Sequence, residues 1–217
     1  MKGAIFDLDG TLVDSMPCYE KIWKKILKKY AINSEEIDRT IFLTKTVKEV
    51  AEIFRNTYGV SESESEFMNY VNSLLMEFYS KKIKAKSGVR QFLQSLKEHN
   101  IKTALLTASD RVIAVPCLKN NKILEYFDVL VFCSEQNASK TQETIFFYTQ
   151  KLLGSKPSET FVFEDSLYAI ETAKRAGFKI CGLYDAWCER DQPKIKNLSD
   201  VYTENLKFLH TKLEIFH

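Results

Sequence analysis

The chain has no Cys-x-x-Cys pair among its five cysteines and no histidine at ligand spacing from any of them. Neither a zinc site nor a disulfide framework is indicated. Cys18, Cys117, Cys133, Cys181 and Cys188 read as buried or incidental thiols. Also missing are a Gly-x-Gly-x-x-Gly fingerprint and a Walker-type phosphate loop, which removes the usual support for dinucleotide or nucleoside-triphosphate binding. None of the three histidines, His99, His210 and His217, has nucleophilic or metal-binding company in sequence. No apolar run approaches membrane-spanning length, and the N-terminus enters an apolar segment without a charged leader, h-region or cleavage site. A reducing cytoplasm and no membrane partner are the expectations. Charge of one sign is lacking too: 31 basic and 29 acidic residues leave a formal +2, so nothing global points to nucleic acid.

What is present is concentrated near the start, in Met1-Lys-Gly-Ala-Ile-Phe-Asp-Leu-Asp-Gly-Thr-Leu-Val-Asp-Ser15. The apolar run Ala4-Ile5-Phe6 delivers Asp7 to its end, and Asp9 follows two residues later on the same side of an extended chain. Gly10 supplies the freedom for a sharp turn, and Thr11 adds a hydroxyl that can fix a neighbouring carboxylate or backbone group. Two like charges so close ask for a cation or a shared proton. Either state serves phosphoryl transfer, with one carboxylate as nucleophile and the other exchanging a proton with the leaving oxygen. The bland alternative is a strand entering a polar turn.

Length allows one full-sized domain, or one domain carrying an insert. From Tyr19 to Tyr30 the residues Ile22, Trp23, Ile26, Leu27 and Tyr30 share one arc and Lys21, Lys24, Lys25, Lys28 and Lys29 the other, which predicts an amphipathic helix. Its basic face suits plain solvation better than a docking role. A second helix is expected over 46–58 and a third behind Ser61-Glu-Ser-Glu-Ser-Glu66, whose Ser and Glu residues suit helix capping. Residues 16–85 thus read as an all-helical insert, joined through Val13–Met16 and the basic stretch Lys81–Gly88, two linkers that allow hinge motion. From Val89 helix and strand alternate: strands are expected at Lys102–Thr107, Val129–Cys133, Phe161–Phe163 and Lys179–Tyr184, with a short edge strand near Asp200–Tyr202 and a final helix from Leu206 to Ile215. Pro116 is expected to shorten or kink the helix over 112–120. The class is therefore α/β, with a parallel sheet covered on both faces and ligands gathering at the carboxyl ends of its strands.

Three further places there carry chemistry. Thr107 and the backbone N–H of Ala108, at a strand end before a helix, can hold phosphate oxygens, while Ser109 or Asp110 can cap that helix. Lys140 can neutralise a nucleophile and later the charge on a transferring group. The strand Phe161-Val-Phe163 ends in Glu164-Asp165, and an alanine-rich helix follows at once. Converging with Asp7 and Asp9, these acids would repel without a hard divalent cation, and an oxygen-rich site suits magnesium.

Asp7-Leu-Asp9-Gly-Thr resembles the first motif of the haloacid dehalogenase superfamily in its phosphatase form. Leu-Leu-Thr107-Ala-Ser, Lys140 and Glu164-Asp165-Ser resemble the second, third and fourth, in order, over nearly the whole chain. The last is closest to the branch around β-phosphoglucomutase and its phosphatase relatives. Dehalogenases of the superfamily lack an acid where Asp9 stands. The resemblance implies a Rossmann-like core, residues 1–15 and 86–217, with a helical cap at 16–85. It implies a magnesium-dependent phosphatase of a small phosphorylated metabolite, in which Asp7 forms an aspartyl-phosphate and Asp9 is acid and base; a monomer is the separate expectation. Magnesium would be held by the Asp7 carboxylate, the Asp9 backbone carbonyl and Asp165, with Glu164 direct or through water; Thr107, Ala108 and Lys140 would grip the phosphoryl group. The rival in the family is a sugar-phosphate mutase, which uses a cap histidine where Tyr19 stands here and would need an arginine clamp that residues 40–50 do not offer. A non-catalytic binder using the lysine face has no need of both Asp7 and Asp9.

Overall fold

Gly3–Phe6 (β1) is buried along its whole length, as a strand must be when helices cover both faces of its sheet. In the computed structural model, which describes residues 1–33, 35, 37 and 47–216, β1 lies inside a six-stranded sheet of order β3-β2-β1-β4-β5-β6. The other strands are Lys102–Thr107 (β2), Val129–Phe132 (β3), Thr160–Glu164 (β4), Lys179–Leu183 (β5) and Val201–Thr203 (β6). Every pairing is parallel. The chain moves outward from β1 through β2 to β3, then returns to the other side of β1 with β4. That reversal makes the gap between β1 and β4 the crevice where ligands of open sheets bind. Phe6 is in register with Phe163, so the residues that leave these two strands emerge side by side.

Alternation along the strands sorts their side chains into two cores. Ala4, Phe6, Leu105, Phe161 and Phe163 enter one cluster and Ile5, Ala104, Leu106, Val162 and Ile180 the other, as the period of two requires. The first is strongly aromatic. Phe6 stacks on Phe163 with centroids 4.3 Å apart, and Phe92 meets Phe6 edge-on at 6.2 Å.

Between β1 and β2 come the helices Met16–Lys29 (α1), Val47–Tyr58 (α2), Glu64–Lys81 (α3) and Val89–Glu98 (α4). The expected helix start at Thr46, and residues 40–46 of the stretch searched for an arginine clamp, lie outside the described residues. Helix α3 opens with a capping box: Ser63 Oγ accepts from the Glu66 N–H at 3.3 Å and Glu66 Oε2 accepts from the Ser63 N–H at 2.9 Å. The lysine face of α1 is largely paired, Lys24 with Glu20, Lys25 with Glu77 and Lys29 with Glu62, and Lys29 also lies 4.0 Å from the centre of the Tyr70 ring. These exposed pairs add little stability. Ile22, Ile26, Phe54, Phe67, Val71 and Phe78 belong to the same apolar cluster as Phe6 and Phe163. Helix α3 packs on Arg111–Asn120 (α5).

The two linkers are hydrogen-bonded to each other. Asp14 N donates to Lys84 O and Lys86 N to Leu12 O, each at 2.9 Å, around a Val13–Ala85 bridge. Asn121, at the end of α5, accepts from Ala85 N at 2.7 Å and donates to Ile83 O at 3.1 Å.

Two expectations need correction. Leu206–Ile215 is not a helix: it forms two short 3₁₀ turns, Leu209–Thr211 and Leu213–Phe216. Tertiary partners claim its carbonyls instead, His210 O accepting from Ser95 Oγ at 3.1 Å and Phe216 O from the Met1 ammonium at 3.0 Å. Leu206, Leu209 and Phe216 meanwhile anchor the segment in the core. Pro116 does not shorten α5, which continues to Asn120. The carbonyl it deprives of a donor belongs to Val112, which is exposed and can be satisfied by water. The remaining helices are Glu143–Leu153 (α6), Leu167–Arg175 (α7) and Gln192–Leu198 (α8).

Gly88 and Gly177 both have positive φ, +84° and +81°, but different surroundings. A Cβ on Gly88 would fall 2.2 Å from Lys207 Cα, whereas one on Gly177 would meet nothing within 4 Å. Gly177→Ala should cost about 1 kcal/mol, the left-handed penalty alone, and Gly88→Ala about 3 kcal/mol because backbone must move. Urea unfolding of the two variants checks this; equal losses would mean that the C-terminal segment yields freely.

Candidate active site

Asp7 leaves β1 and Glu164-Asp165 leave β4 at neighbouring strand ends, and all three side chains are buried. One oxygen from each carboxylate lies within 4.8 Å of the others. Lys140, on the turn before α6 and only 4% exposed, donates to Asp7 Oδ1 and, at 3.0 Å, to Glu164 Oε1. Glu164 Oε2 accepts from the backbone N–H of Asp165 at 2.8 Å. Thr11 donates to Asp165 Oδ1 at 2.9 Å, the carboxylate-fixing use its hydroxyl offered. Gly10 has φ +79°, and a Cβ there would lie 2.3 Å from Asp165 Oδ2. Only glycine lets the turn pass this close to the acid.

Charge does not balance within the group. Burial, reinforced by Glu164 and Asp9 against the opposing pull of Lys140, pushes the Asp7 carboxyl up to about 8. Burial and then Glu164 and Asp7 push Asp165 well above the carboxylate range. Burial alone would lower the Lys140 ammonium, but Asp7 and Glu164 outweigh it and hold the group charged. One cation cannot neutralise three buried acids, and an all-oxygen donor set with a surplus of negative charge fits a hard divalent cation.

Asp9 takes a different part from the one its spacing suggested. Three carboxylates converge, not four: that of Asp9 is outside the group and accepts from Tyr79 Oη at 2.5 Å and from Ser109 Oγ at 2.6 Å. Strand β1 ends at Phe6 and the chain bends at Leu8, between the two acids, so the extended-chain alternation that would align them does not continue through Asp9. Thr107 is fully buried at the end of β2, and its Oγ1 accepts from the Ser109 N–H at 3.0 Å, leaving its own proton to give. Ala108 is exposed beside it. Neither Ser109 nor Asp110 caps α5 through its side chain; Ser109 is spent on Asp9, and Asp110 Oδ1 accepts from Ser134 Oγ at 2.7 Å.

Asp7, Asp9, Thr107, Ala108, Ser109, Asp110, Lys140 and Glu164 face one cavity of about 350 Å³, whereas Asp165, Thr11 and Tyr79 stand behind its lining. Asp7, Asp9, Thr107, Ala108, Lys140 and Glu164 form its floor, and Met16, Tyr19, Asn72 and Leu75 from α1 and α3 its opposite wall. Tyr79 was not among the residues singled out from sequence. Its neighbour Phe78 carries the apolar spacing of α3, and the available signal was a tyrosine buried beside that face, whose hydroxyl must find a partner.

The model of the haloacid dehalogenase-like hydrolases matches residues 4–183, a span that contains every residue of this site. The chain belongs to the haloacid dehalogenase-like hydrolases. Among its relatives in that family, a phosphorylated carbohydrates phosphatase from Thermotoga maritima is 29% identical over 180 residues, covering 82% of this chain and 83% of the relative. The fructose-1-phosphate phosphatase YqaB of Escherichia coli is 25% identical over 185 residues, covering 81% of this chain and 92% of that one. In fold, this hydrolase is similar to a Thermotoga maritima protein described provisionally as a β-phosphoglucomutase, with TM-score 0.83, 26% identity and 99% of each chain covered. No helix among the described residues is long and apolar enough to cross a membrane.

A cation entering the acid group must displace the protons that burial adds to Asp7 and Asp165. With Asp7 raised to about 8, the folded chain holds a proton that the unfolded chain has released above roughly pH 4. Without a cation, stability therefore falls as pH rises through that window. The stabilisation given by a fixed magnesium concentration should grow over the same window, reaching about 2.7 kcal/mol at roughly 100 times the dissociation constant. Thermal unfolding at several pH values, with Asp165→Asn as the variant that loses the effect, measures it; a magnesium gain independent of pH would count against cation binding at these carboxylates.

Proposed function

We propose that the protein is a magnesium-dependent phosphatase that hydrolyses a small phosphorylated metabolite, a sugar phosphate or similar, through an aspartyl-phosphate. The observation that carries this reading is the buried Asp7–Lys140–Glu164–Asp165 group, of which Asp7, Lys140 and Glu164 share one cavity with Asp9. Relatives named as carbohydrate and fructose-1-phosphate phosphatases support the substrate class.

In this reading Asp7 Oδ attacks phosphorus, the bond from phosphorus to the leaving oxygen breaks, and that oxygen takes the proton carried by Asp9. Asp9, now a carboxylate, removes a proton from water, whose oxygen attacks the phosphoryl group; phosphate departs and Asp7 is restored. Lys140, the Thr107 hydroxyl and the Ala108 N–H hold the phosphoryl oxygens, and each such preorganised contact can contribute about 3 kcal/mol to the transition state. The Asp7 and Asp165 carboxylates and the Asp9 backbone carbonyl, with Glu164 direct or through water, would hold magnesium. When bound, the ion supplies positive charge that keeps Asp7 ionised and offsets charge on the phosphoryl oxygens. Residues 16–85 act as a cap over a core of 1–15 and 86–217, excluding water while the aspartyl-phosphate forms.

A mutase is the second reading, favoured by the likeness to the Thermotoga maritima protein provisionally named for that activity. Against it, Tyr19 stands in the cavity wall where a mutase of this branch uses histidine.

Asp7→Asn should lower magnesium-dependent phosphate release from a panel of sugar phosphates by about a thousandfold or more, since it removes the nucleophile. Full turnover in that variant would overturn the mechanism. Incubation with a hexose 1-phosphate separates the readings by product: inorganic phosphate for the phosphatase, an isomeric hexose phosphate for the mutase.

A further inference from the structure

We propose that Tyr79 is a positioning residue for Asp9, and that through it and Tyr19 the helical insertion aims this acid at the leaving oxygen. The proposal rests on the reading of Asp9 as proton donor to that oxygen.

Asp9 is held from two directions. Ser109, on the segment after β2, donates to Oδ2 at 2.6 Å, and Tyr79, on α3, donates to Oδ1 at 2.5 Å. The Tyr79 hydroxyl has one proton, and that proton goes to Asp9. Its oxygen is then the acceptor for the Tyr19 hydroxyl, 3.0 Å away on α1. The two rings meet edge-on with centroids 6.4 Å apart, so each fixes the direction of the other's hydroxyl. Tyr79 is 1% exposed, which leaves water little access to replace it. The donors run in one direction: Tyr19 to Tyr79, Tyr79 to Asp9, with Ser109 closing from the core.

An aspartate has only two side-chain torsions, and hydrogen bonds accepted at its separate oxygens restrain both. Proton delivery to a leaving oxygen tolerates little misplacement; an error of 1 Å costs about a hundredfold. One half of the clamp belongs to the core and the other to the insertion. The acid is therefore held at both oxygens only while α1 and α3 lie over the cavity. This gives the insertion a part in the chemistry beyond covering the site. Nothing in sequence spacing links Tyr79 to Asp9, seventy residues away.

The test compares leaving groups. An alkyl phosphate needs a proton at the departing oxygen, whereas p-nitrophenyl phosphate releases a stable phenolate and does not. The ratio kcat/KM reports the steps through formation of the aspartyl-phosphate, the half-reaction in which that proton is given. With magnesium saturating, Tyr79→Phe should lower kcat/KM for the best sugar phosphate of a panel about ten- to a hundredfold. It should change the value for p-nitrophenyl phosphate by less than about threefold, and Tyr19→Phe should act in the same direction with a smaller loss. Retained turnover of the aryl ester doubles as the check that the variant is folded. Equal losses on both esters, or no loss on either, would overturn the positioning role while leaving the phosphatase reading intact. A wild-type protein that released phosphate from neither ester would overturn both.

Discussion

Three carboxylates and one ammonium buried together at the ends of two neighbouring strands are the constraint around which this molecule is arranged. Water would ionise Asp7 and Asp165 cheaply; the interior does not, and both are pushed upward by burial before any neighbour is considered. Keeping such a group out of water requires strands that cannot drift apart. Phe6 and Phe163, each one residue ahead of an acid of the site, are in register and stacked at 4.3 Å. Apolar clusters on both faces of the sheet hold them there. The hydrophobic cores thus carry the energetic cost of a site that by itself destabilises the fold. Lys140 limits the cost by pairing with two of the acids. The turn through Gly10 and Thr11 limits it further, glycine by giving Asp165 room and threonine by donating to it.

The helical insertion enters this arrangement physically as well as topologically. Its apolar faces belong to the same cluster as Phe6, its two linkers hydrogen-bond to each other, and Asn121 fastens one of them to α5. The insertion is also held by the packing of α3 on α5. Val13 and Ile83 anchor the linkers in that apolar cluster, while Lys86 pairs with Asp185 at 2.7 Å.

Much of this was legible in sequence where the signal is local. The buried run Ala4–Phe6 followed by Asp7 announces a central strand ending at chemistry, and Phe161–Phe163 followed by Glu164-Asp165 repeats the statement; parallel pairing then brings the two ends together. Three-dimensional readings that depended on partners far along the chain were not legible. The segment after Leu206 has helical apolar spacing, but Ser95 and Met1 take its carbonyls. Asp9 has the spacing to join Asp7, yet the chain bends at Leu8, and Ser109 and Tyr79 claim its oxygens. Lys140 was readable only by its place among motifs, because one lysine among so many carries no local mark of burial.

The tyrosine pair also bears on which reaction the cavity favours. A mutase must return the phosphoryl group to a second hydroxyl of a sugar, and a histidine on the insertion side gives it a group that exchanges protons near neutral pH. Tyr19 and Tyr79 cannot do this: burial first, then the Asp9 charge, raises both phenols above their ordinary value. The insertion side of the cavity therefore offers hydrogen bonds but, among the described residues that line it, no readily exchanged proton. In the proposed mechanism acid–base work therefore falls to Asp9. A single acid–base group suffices when the second acceptor is water, which is small enough to enter a cavity of about 350 Å³ beside the same carboxylate that the first alcohol has just left. A bulky sugar hydroxyl would instead have to be turned and held in a second orientation against a wall of Met16, Tyr19, Asn72 and Leu75. Of those four side chains only Tyr19 and Asn72 carry strong hydrogen-bonding groups, and neither is charged. The asymmetry between a polar floor and a largely apolar, proton-inert wall is what makes hydrolysis the better fit to this site.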